Sequence, residues 1–310
     1  MVLNVLLLIV GVAIVLWGAD RLTDGSVNIA SKLGISQMVI GLTIVAMGTS
    51  MPEFCVSLVS SIKGTADLAV GNIVGSNIFN SLLIVGVAAM VSPILILHST
   101  VKRDIPFSLF ASALLILLCF DGDISRIDAL ILFISFLLFL YVTLKTAKNN
   151  TDTDEGGNKK KTPTWKSVAF IVLGLVCLIL GSNIFVDNAT GIAKIMGVSD
   201  AVIGLTIVAG GTSLPELATS IVAARKGNSG IAIGNVLGSN VFNILFILGA
   251  AGIVCPMTIQ GITMVDLTMM LVAVVLLWLF SFTKYNIARW EGAILVAVYL
   301  FYMVYLIANA

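Results

Sequence analysis

Two glutamates stand where almost every neighbour is apolar: Glu53 closes the hexapeptide GTSMPE (48–53), and Glu216 closes GTSLPE (211–216). An isolated carboxylate near the centre of a bilayer costs at least ~2.5–3.5 kcal/mol on insertion scales, so an acid kept there marks a pathway or a binding site. Two such acids brought together repel unless they are protonated or bridged by cations. The residues around each acid supply bridging chemistry. Pro52 and Pro215 lack a backbone N–H and clash with the preceding turn, so carbonyls at Ala46 to Gly48 and Ala209 to Gly211 are expected to lose their helical partners and act as hard oxygen ligands. Broken backbone is tolerated at membrane depth only when buried in protein or lining a cavity. Thr49 and Ser50 precede Glu53 by four and three residues, hence share its helical face, and Thr212 and Ser213 stand likewise before Glu216. Ser76 and Asn80, again four apart, are matched by Ser239 and Asn243. All are oxygen donors of the kind that Ca2+ prefers and Na+ accepts, with no thiolate or imidazole for a softer metal.

Each position also has a plainer use. Hydroxyls inside membrane helices often satisfy their own backbone, and Gly71, Gly75, Ser76, Gly234, Gly238 and Ser239 are small enough to let helices approach closely. Asn72, Asn77, Asn235 and Asn240 read equally well as interhelical hydrogen-bonding groups, and Asp24 and Asp187 as interfacial residues.

The elements that must position these groups follow from composition. Hydrophobic residues make up 59% of the 310 and charged residues 11%, with a mean hydropathy of +1.11, against ~45–50% and ~25% in soluble domains. An all-α integral membrane protein is expected. Apolar spans are read at 2 to 19, 38 to 62, 68 to 91, 105 to 120 and 128 to 145, then 167 to 186, 201 to 224, 230 to 252, 266 to 283 and 291 to 308, all but 105 to 120 reaching the ~17–25 residues that a ~30 Å core needs. The first span lacks the basic region and cleavage site of a signal peptide and is taken as a true crossing. The hydrophilic interval 146–166, rich in Asn, Asp, Gly and Lys, reads as a linker between repeats at 1–145 and 167–310.

The chain repeats itself. VIGLTIVAMGTSMPE (39–53) recurs 163 residues later as VIGLTIVAGGTSLPE, and AVGNIVGSNIFN (69–80) as AIGNVLGSNVFN; the same offset pairs Gly11 with Gly174, Gly18 with Gly181, and Pro93 with Pro256. Five spans per half is an odd number, so the second half must enter the membrane upside down relative to the first, an inverted-topology repeat of the kind found in secondary transporters. With the linker cytoplasmic and both termini outside, only Lys63, Arg126 and Lys194 of the 17 Lys and Arg residues fall on the outer side, as the positive-inside rule demands. The plasma (inner) membrane is the expected location.

Cys55, Cys119, Cys177 and Cys255 lack CxxC spacing and read as packing residues, and His98 as a solvated interfacial residue. Asp152, Asp154 and Glu155 do not have the glycine placement of a calcium loop. Nothing points to a cofactor, a nucleic acid or an obligatory protein partner. The partners expected are inorganic cations and the lipid bilayer.

The paired motifs GTSMPE with GNIVGSNIFN, and GTSLPE with GNVLGSNVFN, resemble the α-repeats of the cation/Ca2+ exchanger superfamily, most closely its sodium/calcium exchanger branch. The resemblance covers nearly the whole chain. It implies that Glu53 and Glu216 bind the transported Ca2+ and Na+, with hydroxyls of Thr49, Ser50, Ser76, Thr212, Ser213 and Ser239, carbonyls of Ala46 and Ala209, and amides of Asn80 and Asn243. Several relatives, potassium-dependent ones among them, carry aspartate where this chain has Asn243, so the implied site holds two formal negative charges and argues against potassium co-transport. If three Na+ exchange for one Ca2+, as the resemblance implies, transport moves charge. It also implies that the first and sixth helices slide across the bundle, for which Gly11, Gly18, Gly174 and Gly181 provide a smooth face or, equally, a static one. The rival readings are a proton/calcium exchanger that uses protonation of the same glutamates and, from another class, a cation channel. An enzyme is not expected, because neither an HExxH pair nor a serine/histidine constellation is present.

Overall fold

The computed structural model describes residues 2–147, 163–196 and 209–309. Its apolar segments form helices because, away from water, a helix satisfies every backbone N–H and C=O within one segment. In chain order these are α1 (Val2–Leu33), α2 (Gln37–Thr49), α3 (Met51–Ile62), α4 (Ala66–Val91), α5 (Ile105–Leu118), α6 (Arg126–Ala147), α7 (Thr164–Ile195), α8 (Ala209–Thr212), α9 (Leu214–Arg225), α10 (Ser229–Val254), α11 (Met264–Ser281) and α12 (Arg289–Asn309). Among the described residues seven helices are long and apolar enough to cross a membrane, and the bent pair α2–α3 makes an eighth. Of the two other expected spans, α5 has 14 residues and follows directly on a wide π turn, Thr100–Asp104. The last, 201 to 224, begins outside the described residues and is represented by α8 and α9. The linker also lies outside them from 148 to 162.

α1 and α7 are longer than the expected spans, at 32 residues each. A sequence reading stops them at the first charges, but helical hydrogen bonds need no apolar face. About 48 Å of helix overshoots a ~30 Å hydrocarbon core, and Asp20, Arg21 and Asp24 lie in the C-terminal half of α1, paired with one another and with Lys226. The two helices touch backbone to backbone. A Cβ on Gly18 would stand 2.9 Å from the carbonyl oxygen of Gly174, and one on Gly174 would stand 2.8 Å from that of Gly18; Gly11 and Gly181 meet in the same way at 3.0 and 2.9 Å. Only glycine permits such an approach.

α4 and α10 form the centre. In their apolar windows 72% and 83% of residues are buried, against 22% to 39% in α1, α6, α7, α11 and α12. The outer helices turn large apolar side chains such as Leu6, Ile9, Leu138, Val172 and Phe301 outward, the surface a protein in lipid requires. Short antiparallel strands tie the halves together: β1 (Ile94–Leu95) pairs with β4 (Asn286–Ile287), and β2 (Asp123–Ile124) with β3 (Met257–Thr258). The register partners are Ile94 with Ile287 and Ile124 with Met257, so a shift of 163 exchanges one pair for the other.

Candidate cation site

Between α2 and α3 the chain bends by 49°, with Ser50 at φ −82° and ψ 10° on the corner. Pro52 sits in the first turn of α3, where its missing N–H is tolerated. Glu53 follows in that same turn, and Pro215 and Glu216 occupy the first turn of α9 just after Ser213, at φ −89° and ψ 7°. A helix start favours negative charge there. The glycine of each motif makes room for α7: a Cβ on Gly48 would stand 2.6 Å from the Leu175 side chain, and one on Gly211 would overlap Val186.

The two acids are bound by each other's segment. The Ser50 hydroxyl donates to Glu216 Oε1 at 2.8 Å, and the Ser213 hydroxyl donates to Glu53 Oε1 at 3.0 Å. Ser76 Oγ lies 3.2 Å from Ser213 Oγ, and Ser239 Oγ lies 3.5 Å from Glu216 Oε1. Glu53 is 0% and Glu216 1% exposed. A charge-assisted bond thus secures one oxygen of each carboxylate. The other oxygen, Oε2, is buried without a hydrogen-bond partner in both residues.

The amides complete the pattern. Asn80 and Asn243 lie in wide π turns of α4 and α10, Phe79–Ile84 and Phe242–Leu248, a backbone irregularity common at functional sites. Asn80 Nδ2 donates to Asn240 Oδ1 at 3.1 Å, and Asn243 Nδ2 donates to Asn77 Oδ1 at 3.0 Å. With their nitrogens so occupied, Oδ1 of Asn80 and Oδ1 of Asn243 are left buried without a partner. Four buried oxygens, two of them on carboxylates, therefore have no donor. Burying such groups unpaired is costly, and a hard cation is the partner that suits them. No group of three or more His, Cys, Asp or Glu occurs among the described residues, so neutral oxygens must supply the rest of any ligand shell.

The structure brings the expected acids and serines into two hydrogen-bonded sets related by the 163-residue shift, Glu53 with Ser213 and Ser76, and Glu216 with Ser50 and Ser239, each drawing on both halves of the chain. Thr49 is held beside them, with its Oγ1 3.0 Å from Asn235 Oδ1. Thr212 ends α8, just before Ser213, and Ala209 begins it. Ala46 departs from expectation: its carbonyl keeps the helical bond from Ser50 N–H at 3.0 Å and lies 3.3 Å from Thr49 Oγ1. The N–H that proline removes is the one that would reach Gly48, four residues back, and the Ala46 oxygen has only its spare lone-pair capacity for a ligand.

Asn72 and Asn235 prove to be interhelical ties. Asn72 Nδ2 donates to the Glu53 carbonyl at 3.3 Å and to Ser57 Oγ at 2.9 Å; Asn235 Nδ2 donates to the Glu216 carbonyl at 3.2 Å and to Ser220 Oγ at 3.0 Å. They fix the backbone that carries each acid. Ser57 and Ser220 were not singled out from sequence, although both stand four residues after a glutamate and 163 apart.

The profile of the sodium/calcium exchanger protein family matches residues 3–145 and again 166–308. The chain belongs to that family. Among its exchanger relatives, the putative antiporter CaxA of Alkalimonas amylolytica is 38% identical over 319 residues, covering 100% of both chains. Sodium/calcium exchanger MaX1 of Methanosarcina acetivorans is 34% identical over 349 residues, with 98% of each covered. A solved structure of the sodium-calcium exchanger NCX_Mj superposes with a TM-score of 0.86 at 32% identity, over 98% of both chains. The chain is thus a multi-pass membrane protein of a transporter family.

Proposed function

We propose that this exchanger-family chain is a secondary active antiporter that exchanges Na+ for Ca2+ by alternating access, moves net charge, and needs no K+. The observation that carries the reading is the set of four buried oxygens without donors, Oε2 of Glu53 and Glu216 and Oδ1 of Asn80 and Asn243. Thr49, Ser50, Ser76, Thr212, Ser213 and Ser239, with the carbonyls of Ala46 and Ala209, fill the remaining coordination positions in this reading. Two carboxylates balance one Ca2+ or two Na+. A third Na+ leaves the loaded site with one positive charge, which makes exchange electrogenic. Neutral amides at Asn80 and Asn243 give no extra charge to hold K+.

The architecture that fits is ten membrane helices in two inverted repeats of five, with both termini outside and the linker cytoplasmic in a plasma (inner) membrane. Exchange of contacts under the 163-residue shift supports it, in the strand register, in the glycine seam of α1 and α7, and in the crossed Ser50–Glu216 and Ser213–Glu53 bonds. A two-fold in the membrane plane generates such exchange. Sequestered carboxylates move poorly between faces when empty and readily when filled, which enforces exchange in place of leak.

Purified protein in liposomes tests this. Radioactive Ca2+ uptake is expected under an outward Na+ gradient without K+, accelerated when a K+-free ionophore system clamps the potential to assist the charge movement. Uptake driven by an outward proton gradient and not by Na+ makes the chain a proton/calcium exchanger instead. Ca2+ entry without any counter-gradient makes it a channel.

A further inference from the structure

Asn77 is fully buried at the crossing of α4 and α10, and its hydrogen bonds can be read in only one sense. Its Nδ2 lies 3.1 Å from the backbone carbonyl oxygen of Asn240 and 4.0 Å from Met270 Sδ. Both are acceptors, and a carbonyl has no proton to give. The amide therefore cannot turn over, and Asn77 Oδ1 must face Asn243. Asn243 in turn must donate through Nδ2, at 3.0 Å, which leaves its Oδ1 as the buried oxygen without a donor.

The other half of the molecule is built differently. Asn80 donates to Asn240 Oδ1 at 3.1 Å, and Asn240 Nδ2 lies 2.8 Å from Ser81 Oγ. A hydroxyl both donates and accepts, so this chain of amides can be satisfied in either sense. The position equivalent to Ser81 in the second half is Ile244. One amide oxygen is thus fixed by a backbone carbonyl, while the other is held by a reversible hydroxyl.

We propose that Asn77, anchored on the Asn240 carbonyl, is the positioning residue that makes Asn243 a neutral oxygen donor to the cation and sets the formal charge of the site at two. An ionised aspartate at 243 would set an oxygen against Asn77 Oδ1 and could keep the contact only by carrying a proton. The neutral amide at 243 is then a requirement of its neighbour as well as a ligand. This rests on the cation-site reading above, and the test separates the two.

Equilibrium binding of radioactive Ca2+ to the detergent-purified full chain is measured for wild type, Asn77→Ala, Asn243→Ala, Asn80→Ala and the double variants that join Asn77→Ala to each of the other two, with the thermal midpoint of each ion-free protein. Partners that orient a ligand typically contribute about 10- to 100-fold to affinity. Asn77→Ala is therefore expected to weaken Ca2+ binding about tenfold, and to add nothing in the Asn243→Ala background, because it acts through that residue. The same tenfold loss is expected when Asn77→Ala is placed on Asn80→Ala. A full loss that persists in the Asn243→Ala background would mean that Asn77 matters to the fold alone, and overturns the proposal; so would unchanged affinity in Asn77→Ala. If wild type binds no Ca2+ and shows no Na+-driven uptake, the site reading itself fails and this proposal with it.

Discussion

Each of the two buried carboxylates has one oxygen held by a serine of the opposite segment and one oxygen with no donor. Replacing Glu53 or Glu216 by Gln removes the charge and puts an amide nitrogen where a cation should sit. Exchange is expected to be abolished in each variant. A ligand at a hundred times its Kd stabilises a protein by ~2.7 kcal/mol, so wild type is expected to melt later in Ca2+ and both variants to melt at the same temperature with and without it. A Ca2+-dependent rise in either variant would remove that glutamate from the site. The two acids were legible in sequence because a charge in an apolar run stands out, and the hydroxyls because they recur at helical spacing from those acids. The crossed bonding was not, since helical spacing says which groups share a face but not which face of another helix they meet. For the same reason Asn72 and Asn235 read ambiguously until their bonds to the Glu53 and Glu216 carbonyls were located.

Helices read well from apolar runs and poorly at their ends and irregular turns. Most of the expected spans coincide with helices, and the bend after Thr49 falls where Gly48 and Pro52 flank it. The π turns that carry Asn80 and Asn243 have no local signature, because an extra residue in a turn is stabilised by what packs against it. The overshoot of α1 escaped for a related reason: Asp20 and Asp24, the acids at which an apolar run ends, find a partner far away in sequence, Lys226. The α1–α7 seam gives an element-scale prediction. Within a helix Ala is normally better than Gly by ~1 kcal/mol, yet a methyl at Gly174 would stand 2.7 Å from Leu22 N and 2.8 Å from Gly18 O. Backbone atoms cannot yield as a side chain can. Gly174→Ala is expected to destabilise the protein by ~1–3 kcal/mol, the usual cost of overpacking, seen as a lower thermal midpoint in detergent. A midpoint equal to or above wild type would mean that the two helices are not held this close.

The duplication is visible in sequence as a constant offset, and parity alone argued for inversion; what sequence could not show is where the two halves differ. In the C-terminal half of α1, Lys226 Nζ lies 2.6 Å from Asp20 Oδ1 and 2.8 Å from Asp24 Oδ1, and Arg21 joins the cluster over the rings of Trp17 and Phe170. The shift of 163 relates Asp24 to Asp187 and Lys226 to Lys63. Among the described residues, only the first of these two acid–lysine pairs is an ion pair. In the alternating-access reading proposed above, inverted repeats reverse the side of access by moving one repeat against the other, so the closed pair is expected to open and Asp187 to reach Lys63 when the site faces the other way. Exposed ion pairs contribute ~0–1 kcal/mol each, weak enough to break in every cycle. Asp24→Cys with Lys226→Cys, or Asp187→Cys with Lys63→Cys, in a background without the four native cysteines, are expected each to be bridged by a reducible bifunctional thiol reagent about as long as the lysine side chain that the pair replaces. Each bridge should stop Ca2+ uptake, and reduction should restore it. The bridge at 24 and 226 is expected to form in the resting protein, and the bridge at 187 and 63 chiefly during turnover with both ions present. Failure of the second pair to cross-link during turnover, with the first doing so, would show that the halves do not exchange their contacts at these ends.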